Sequence, residues 1–336
     1  MPNVQPQSRL PRTHIRVQRS DGREWPNITI ALRELMGTPT EITPSESQRI
    51  RLRLRGGEVG RDRHGFTWKS IGGTVSEQTI TWADFTFGTE IELTMPMPQY
   101  DVQALLERNG FNRWRVVHDG SVAAPVRGTY GMEVVSPVLQ GADGLEEVKR
   151  VMDLLREQGG KVNNSCGLHV HIGVRGMKVS RLRKIAAAFL NAEAAIDQMM
   201  PPARLNNRYC QSNTRFHGGN FAQLERAETV NAIATAMNGG SSNQHYTHFR
   251  YYKLNFQSFV RHGTIEFRQH SGTVESEKAC AWIRFVASFC AMAASAEMPQ
   301  RVAMNLEQLL ACVNDEAVRN YLRARAAKFA ALRAAA

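Results

Sequence analysis

The sequence reads as an α+β protein: an antiparallel sheet with helices on one face, preceded by a small basic α+β module. Three observations predict that class. Four widely separated segments alternate apolar and ionisable residues with a period of two, as strands with one dry and one polar face do. Apolar residues at helical spacing fall between these segments, and hairpin-like turn signals bracket the strands. That interleaving suits an antiparallel sheet better than a doubly wound one. Finally, 336 residues, 42% hydrophobic and 22% charged, are enough for one large globular domain plus a small one.

The four alternating segments define the candidate site. NNSCGLHVHIG (163–173) sets His169 and His171 on one face of a strand and Leu168, Val170 and Ile172 on the other. FGTEIEL (87–93) does the same with Glu90 and Glu92, YGMEVV (130–135) with Glu133, and GTIEFR (263–268) with Glu266 and Arg268. If the four lie in one sheet, their apolar backs pack on helices and their fronts meet on a single charged floor. Carboxylates crowded on such a floor repel one another unless a cation sits among them. Two neutral imidazoles add nitrogen ligands. Glutamate oxygens with one or two histidines suit magnesium or manganese better than zinc.

In chain order, residues 1–12 are polar and proline-containing and read as a disordered lead-in. Residues 13–80 form the small module. A strand over 14–18 is followed by an Asp21-Gly22 turn, then a helix over 27–36. Arg/apolar alternation over 45–55 fits a strand, but Thr43, Pro44 and Glu46 read as helix-start signals, and the segment is expected to be a helix. A hairpin over 59–68 turns at His64-Gly65, and Gly72 to Gln78 reads as a linker. The large domain, 81–300, adds helices over 100–109, 144–158, 178–200, 222–237 and 275–296, and strands over 113–117 and 252–256. Polar loops over 201–220 and 238–248 contain candidate ligand contacts, Arg204 among them. Residues 301–336 read as an Ala- and Arg-rich helical extension.

The net charge of +11 favours acidic partners: nucleotides, phosphates, polycarboxylates or nucleic acid. Thirteen Lys and Arg against eight Asp and Glu put +5 of that in the first 80 residues, so the module is a candidate nucleic-acid or protein contact. Five cysteines without a CxxC pair fit a reducing compartment. No run approaches membrane-spanning length, and a cytoplasmic location is expected. There is no GxxxxGK[ST] loop and no GxGxxG fingerprint, so a nucleotide must be held by another device.

FGTEIEL, DGS (119–121), GMEVVSP, NNSCGLHVHIG, YYKLN (251–255) and GTIEFRQHSGT, in this order, resemble the amidoligase family, carboxylate–amine ligases of the glutamine synthetase and glutamate–cysteine ligase superfamily. The blocks span about residues 85–290. The resemblance implies a glutamine synthetase-like sheet, ATP and Mg2+ (or Mn2+) as cofactors, carboxylate and amine substrates, and assembly into a homo-oligomer. By the same resemblance Glu90, Glu92, Glu133, His169 and Glu266 hold divalent ions, and His171 contacts the carboxylate. Arg268 stabilises the transferring phosphoryl group. Arg204, from the polar loop, and Asn255, from the YYKLN block, are the further expected nucleotide contacts. Alternatives stay open at this point. Arg268 can simply pair with Glu266, and Cys166 can be a thiol nucleophile. A zinc hydrolase can be built on His169, His171 and a glutamate, although no HExxH helix is present. The chain can also be a nucleic-acid-binding protein with a vestigial ligase core.

Overall fold

The computed structural model describes residues 14–22, 24–25, 60–61, 67–75, 80–216, 220–243 and 247–335. The chain divides into two compact units, Met1–Thr79 and Ile80–Ala336.

In the first unit, β1 (His14–Arg19), β2 (Glu24–Trp25), β3 (Gly60–Arg61) and β4 (Thr67–Val75) pair antiparallel in the order β2-β1-β4-β3. The Asp21-Gly22 turn joins β1 to β2. The expected lead-in, the helix over 27–36, the segment over 45–55 and the His64-Gly65 turn lie outside the described residues. The expected linker is corrected at its start, because Gly72-Gly73 lie inside β4. Pairing with β1 shifts register there, from Ile15↔Thr74 to Val17↔Ser70. Glycines in a strand often mark such a bulge, and the ladder overrides their turn preference.

The second unit is built on one antiparallel sheet in the order β10-β11-β9-β5-β7-β6. Its strands are β5 (Thr86–Met95), β6 (Arg115–Val117), β7 (Tyr130–Val135), β9 (Gly167–Gly173), β10 (Leu254–Asn255) and β11 (Thr264–Ser271), with β8 (Leu139–Gln140) on the end of β5. The four alternating segments are adjacent strands of this one sheet, β11-β9-β5-β7, which meets the condition for a shared charged floor. Phe87, Ile91, Leu93, Met132, Val134, Leu168, Val170, Ile172, Ile265 and Phe267 form the buried back.

Against that back lie α2 (Gly141–Glu157), α3 (Val179–Asp197) and α9 (Ser276–Ser295), whose apolar stripes join the same core. Phe267 of β11 meets the Phe189 ring of α3 at 5.9 Å and the Phe289 ring of α9 at 6.4 Å. Burying one such ring is worth about 1.5–3 kcal/mol, so the helices fix the strands and leave the front face open.

Among the described residues the remaining α-helices are α1 (Gln99–Arg108), α4 (Pro202–Leu205), α5 (Asn213–Phe216), α6 (Phe221–Arg226), α7 (Val230–Asn238), α8 (Ser258–His262), α10 (Leu306–Leu310) and α11 (Glu316–Ala334). Two expected single helices are each two. The 222–237 pattern is broken because Thr229 accepts a bond from Ala232 N at 3.1 Å and starts α7 afresh. The extension is broken because Asp315 accepts from Val318 N at 3.0 Å and caps α11. Among the described residues no helix is long and apolar enough to cross a membrane.

Candidate active site

Cross-strand register brings the ionisable fronts together. Glu90 stands opposite His169, Glu266 opposite His171, and Glu92 opposite Glu133. Glu90 lies between the two imidazoles, with Oε2 3.0 Å from His169 Nδ1 and Oε1 3.2 Å from His171 Nε2. His169 Nε2 is 3.4 Å from Glu92 Oε1. Glu92 Oε2 accepts a 2.6 Å bond from the Gly167 amide, and His171 Nδ1 lies 3.0 Å from Thr264 Oγ1. Arg268 Nη1 donates to Glu266 Oε1, and its Nε donates to the Tyr209 carbonyl at 3.2 Å.

Glu92, His169, Glu266 and Arg268 are buried and Glu90, Glu133 and His171 half-buried, and several of these groups are strongly perturbed. Burial opposes ionisation of Glu90, but His171 and His169 outweigh it and hold the carboxyl well below the usual range. Burial disfavours a charged His171 too, and Glu90 and Glu266 overcome it, so His171 is raised. Glu266 is lowered against its burial by Arg268. Glu133 goes the other way. Burial, then the charges of Glu90, Glu92, Asp119 and Glu266, push it up to about 9. A carboxylate so placed is ready for a cation.

Among the described residues, three groups of donor atoms lie within 4.8 Å of one another: Glu90, Glu133 and His169; Glu90, His171 and Glu266; Glu92, Asp119 and Glu133. Each is mostly or wholly carboxylate oxygen, a donor set that fits hard divalent cations. Among the described residues no such group contains both imidazoles, which a two-histidine zinc centre would need. At the β9 C-terminal end the floor opens into a cleft of about 540 Å³. Glu90, His171, Thr264, Ser136, Arg175 and His262 line it.

The structure therefore gathers Glu90, Glu92, Glu133, His169, His171, Glu266 and Arg268 on one surface. It gives the other two expected contacts different partners. Asn255 is buried behind Glu266 and donates to its Oε2 at 2.7 Å, while its own oxygen accepts from Gln257 N. Arg204 is buried and donates to the carbonyls of Arg268 and Gln269. Cys166 is buried and burial pushes its thiol up, the reverse of what a thiolate nucleophile needs. Asp119 was not among the expected ligands. It follows β6 in an Asx turn, accepting from Ser121 N at 2.7 Å. The DGS block was its only sequence signal.

Residues 66–290 match the model of a family described as "Putative amidoligase enzyme". No curated protein matches the chain. Among solved structures it is similar to one described as "GmaS/ADP complex-Conformation 1". The identity is 11%, over 75% of this chain and 68% of that one, with a TM-score of 0.39. Another is "Crystal structure of novel glutamine synthase homolog", at 14% identity, coverages of 74% and 67%, and a TM-score of 0.32. A third, "Apo GmaS without ligand", has 10% identity, coverages of 75% and 68%, and a TM-score of 0.35.

Proposed function

The chain belongs to the amidoligase family, and on that premise we propose that it is an ATP- and magnesium-dependent carboxylate–amine ligase working through an acyl phosphate. The observation that carries this reading is the set of three overlapping hard-donor groups beside a buried arginine. Glu90, Glu92, Asp119, Glu133, His169 and Glu266 would hold the divalent ions. When bound, these ions supply charge neutralisation to the nucleotide's phosphates.

In the first step a carboxylate oxygen of the acid attacks the γ-phosphorus of ATP, and the bond to the ADP oxygen breaks. In the second the amine nitrogen attacks the acyl carbon, phosphate leaves with the bonding pair, and the nitrogen gives up a proton. Arg268 stays cationic because Glu266 and Glu90 outweigh its burial, which suits it to the charge spread over a transferring phosphoryl group. His171, whose pKa Glu90 and Glu266 raise against its burial, lines the cleft and is placed to meet the incoming carboxylate. The cleft beside it gives the substrates room.

The test is ADP and phosphate release with Mg2+ across a panel of carboxylic acids, with hydroxylamine as the amine. Hydroxamate formed in step with ADP, and lowered about 10³-fold or more in Arg268→Ala and in Glu92→Gln, supports the reading. No ADP release with any acid, together with no Mn2+ binding, overturns it. Salt-sensitive DNA binding in that case would install the nucleic-acid reading instead.

A further inference from the structure

β11 pairs with β9 in register from Thr264↔Gly173 to Phe267↔Val170 and resumes at His270↔Leu168. Arg268 and Gln269 thus stand opposite the single residue His169. Such a two-against-one bulge takes backbone groups out of the ladder, and buried carbonyls then need other donors. Arg204 of α4 supplies them. Its Nη2 donates to the Arg268 carbonyl at 2.5 Å and its Nε to the Gln269 carbonyl at 3.3 Å. The residue is only 3% exposed.

The bulge decides where side chains point. Unbroken alternation would set Glu266, Arg268 and His270 all on the front. Instead His270 turns to the back and lies on Trp282, ring centroids 5.1 Å apart. Arg268 keeps the front, tied to Glu266 and to the Tyr209 carbonyl. The same guanidinium borders β9. A side chain at Gly167 would fall 3.3 Å from Arg204 Nη2 and 2.9 Å from His169 Nε2. The Gly167 amide in turn fixes Glu92.

We propose that Arg204 is a positioning residue, which holds the β11 bulge and through it the aim of Arg268. Its kinetic consequence rests on the ligase reading above, whereas its geometric consequence does not. A nucleotide-binding arginine and a positioning arginine separate cleanly in kinetics. Loss of the first raises KM for ATP, and loss of the second lowers kcat.

The experiment compares wild type, Arg204→Met, Arg204→Lys, Arg268→Ala and the Arg204→Met/Arg268→Ala double variant. In Arg204→Met, kcat for ADP release falls about 10²-fold, the scale of a roughly 1 Å misplacement, while KM for ATP is unchanged. Arg204→Lys recovers part of the loss, because a lysine keeps the charge but not the two-pronged donor. The double variant is no slower than Arg268→Ala alone. A second measurement needs no turnover: hydrogen exchange of the Arg268 Nε–H, followed by 15N NMR and assigned by its loss in Arg268→Ala. It is slow in wild type and faster in Arg204→Met.

A raised ATP KM with kcat intact overturns the proposal, as do losses that multiply in the double variant. If wild type turns over no acid, the ligase reading fails and the exchange rate alone decides. Unchanged exchange in Arg204→Met then overturns the positioning role, and faster exchange upholds it. Should Arg204→Met not fold, Arg204→Lys takes both measurements.

Discussion

At the cleft end of the floor, Glu90 is flanked by two imidazoles, and Glu266 is held between Asn255 and Arg268. At the other end Glu92, Asp119 and Glu133 converge, with His169 Nε2, 3.4 Å from Glu92, as the nearest offset. The consequence is visible in the acids themselves. Glu90 is held well below its ordinary pKa, while Glu133 is pushed up to about 9. The same residue type on adjacent strands is thus driven in opposite directions by its neighbours. One end is compensated by neighbouring side chains, and the other is a cluster of carboxylates with little such compensation.

If that contrast is right, the largest effect belongs to the carboxylate-only end. Asp119→Asn is expected to weaken Mn2+ binding about 10²-fold, read by paramagnetic resonance of free Mn2+. Unchanged affinity would remove Asp119 from the ligand set.

The two ends also differ in the sign of their pH dependence. With metal chelated, Glu133 in the folded chain keeps a proton that the unfolded chain has already lost above its ordinary value of 4.5. Its contribution to stability therefore falls as pH rises from about 4.5 to about 9. Glu90 is depressed when folded, so its contribution is present above its ordinary value and is lost as pH falls through its folded one. In EDTA the thermal midpoint should drop between pH 6 and 8.5 by an amount worth about 1–3 kcal/mol. Mg2+ should restore it most at the alkaline end, and Glu133→Gln should flatten the slope. A midpoint in EDTA that does not fall over that range would contradict the contrast.

A smaller effect is expected where the compensation is indirect. Asn255→Leu removes the amide that holds Glu266 Oε2 but leaves the Arg268–Glu266 pair in place. About a 10-fold loss of Mn2+ affinity is expected. A loss as large as that of Asp119→Asn would erase the distinction between the ends.

The front of the sheet was legible because a strand's side chains alternate strictly, so Glu90, Glu92, Glu133, His169, His171 and Glu266 could be placed on one face from spacing. The back was legible for the same reason. What spacing does not carry is partnership. Arg204 and Asn255 read as polar donors, but their partners lie 64 and 11 residues away and emerge only from the fold. Asp119 sits in a turn, where no periodicity points. The break before α7 was hidden because apolar spacing runs on through Ala227, and the Thr229 cap decides it. The bulge in β11 is silent in sequence, since an extra residue changes the register without changing the composition.

That silence gives the smallest and most discriminating prediction, at His270. By alternation alone it belongs on the front with Glu266 and Arg268. In the structure it is 1% exposed, lies on Trp282, and has Nδ1 2.7 Å from the Ser271 carbonyl. Burial, then the charges of Arg325 and Lys278, hold its pKa well below the usual histidine value, so the ring is neutral. His270→Phe keeps the ring and gives up one hydrogen bond, which costs about 1 kcal/mol. Mn2+ affinity and ADP release should stay at wild-type values. The buried neutral imidazole must stay uncharged in the fold while the unfolded chain protonates below about 6.5, so it subtracts stability as pH falls. The variant should therefore lose less stability than wild type between pH 7 and pH 5. A metal or turnover defect in His270→Phe would put the ring on the front, and the bulge with it would have to go.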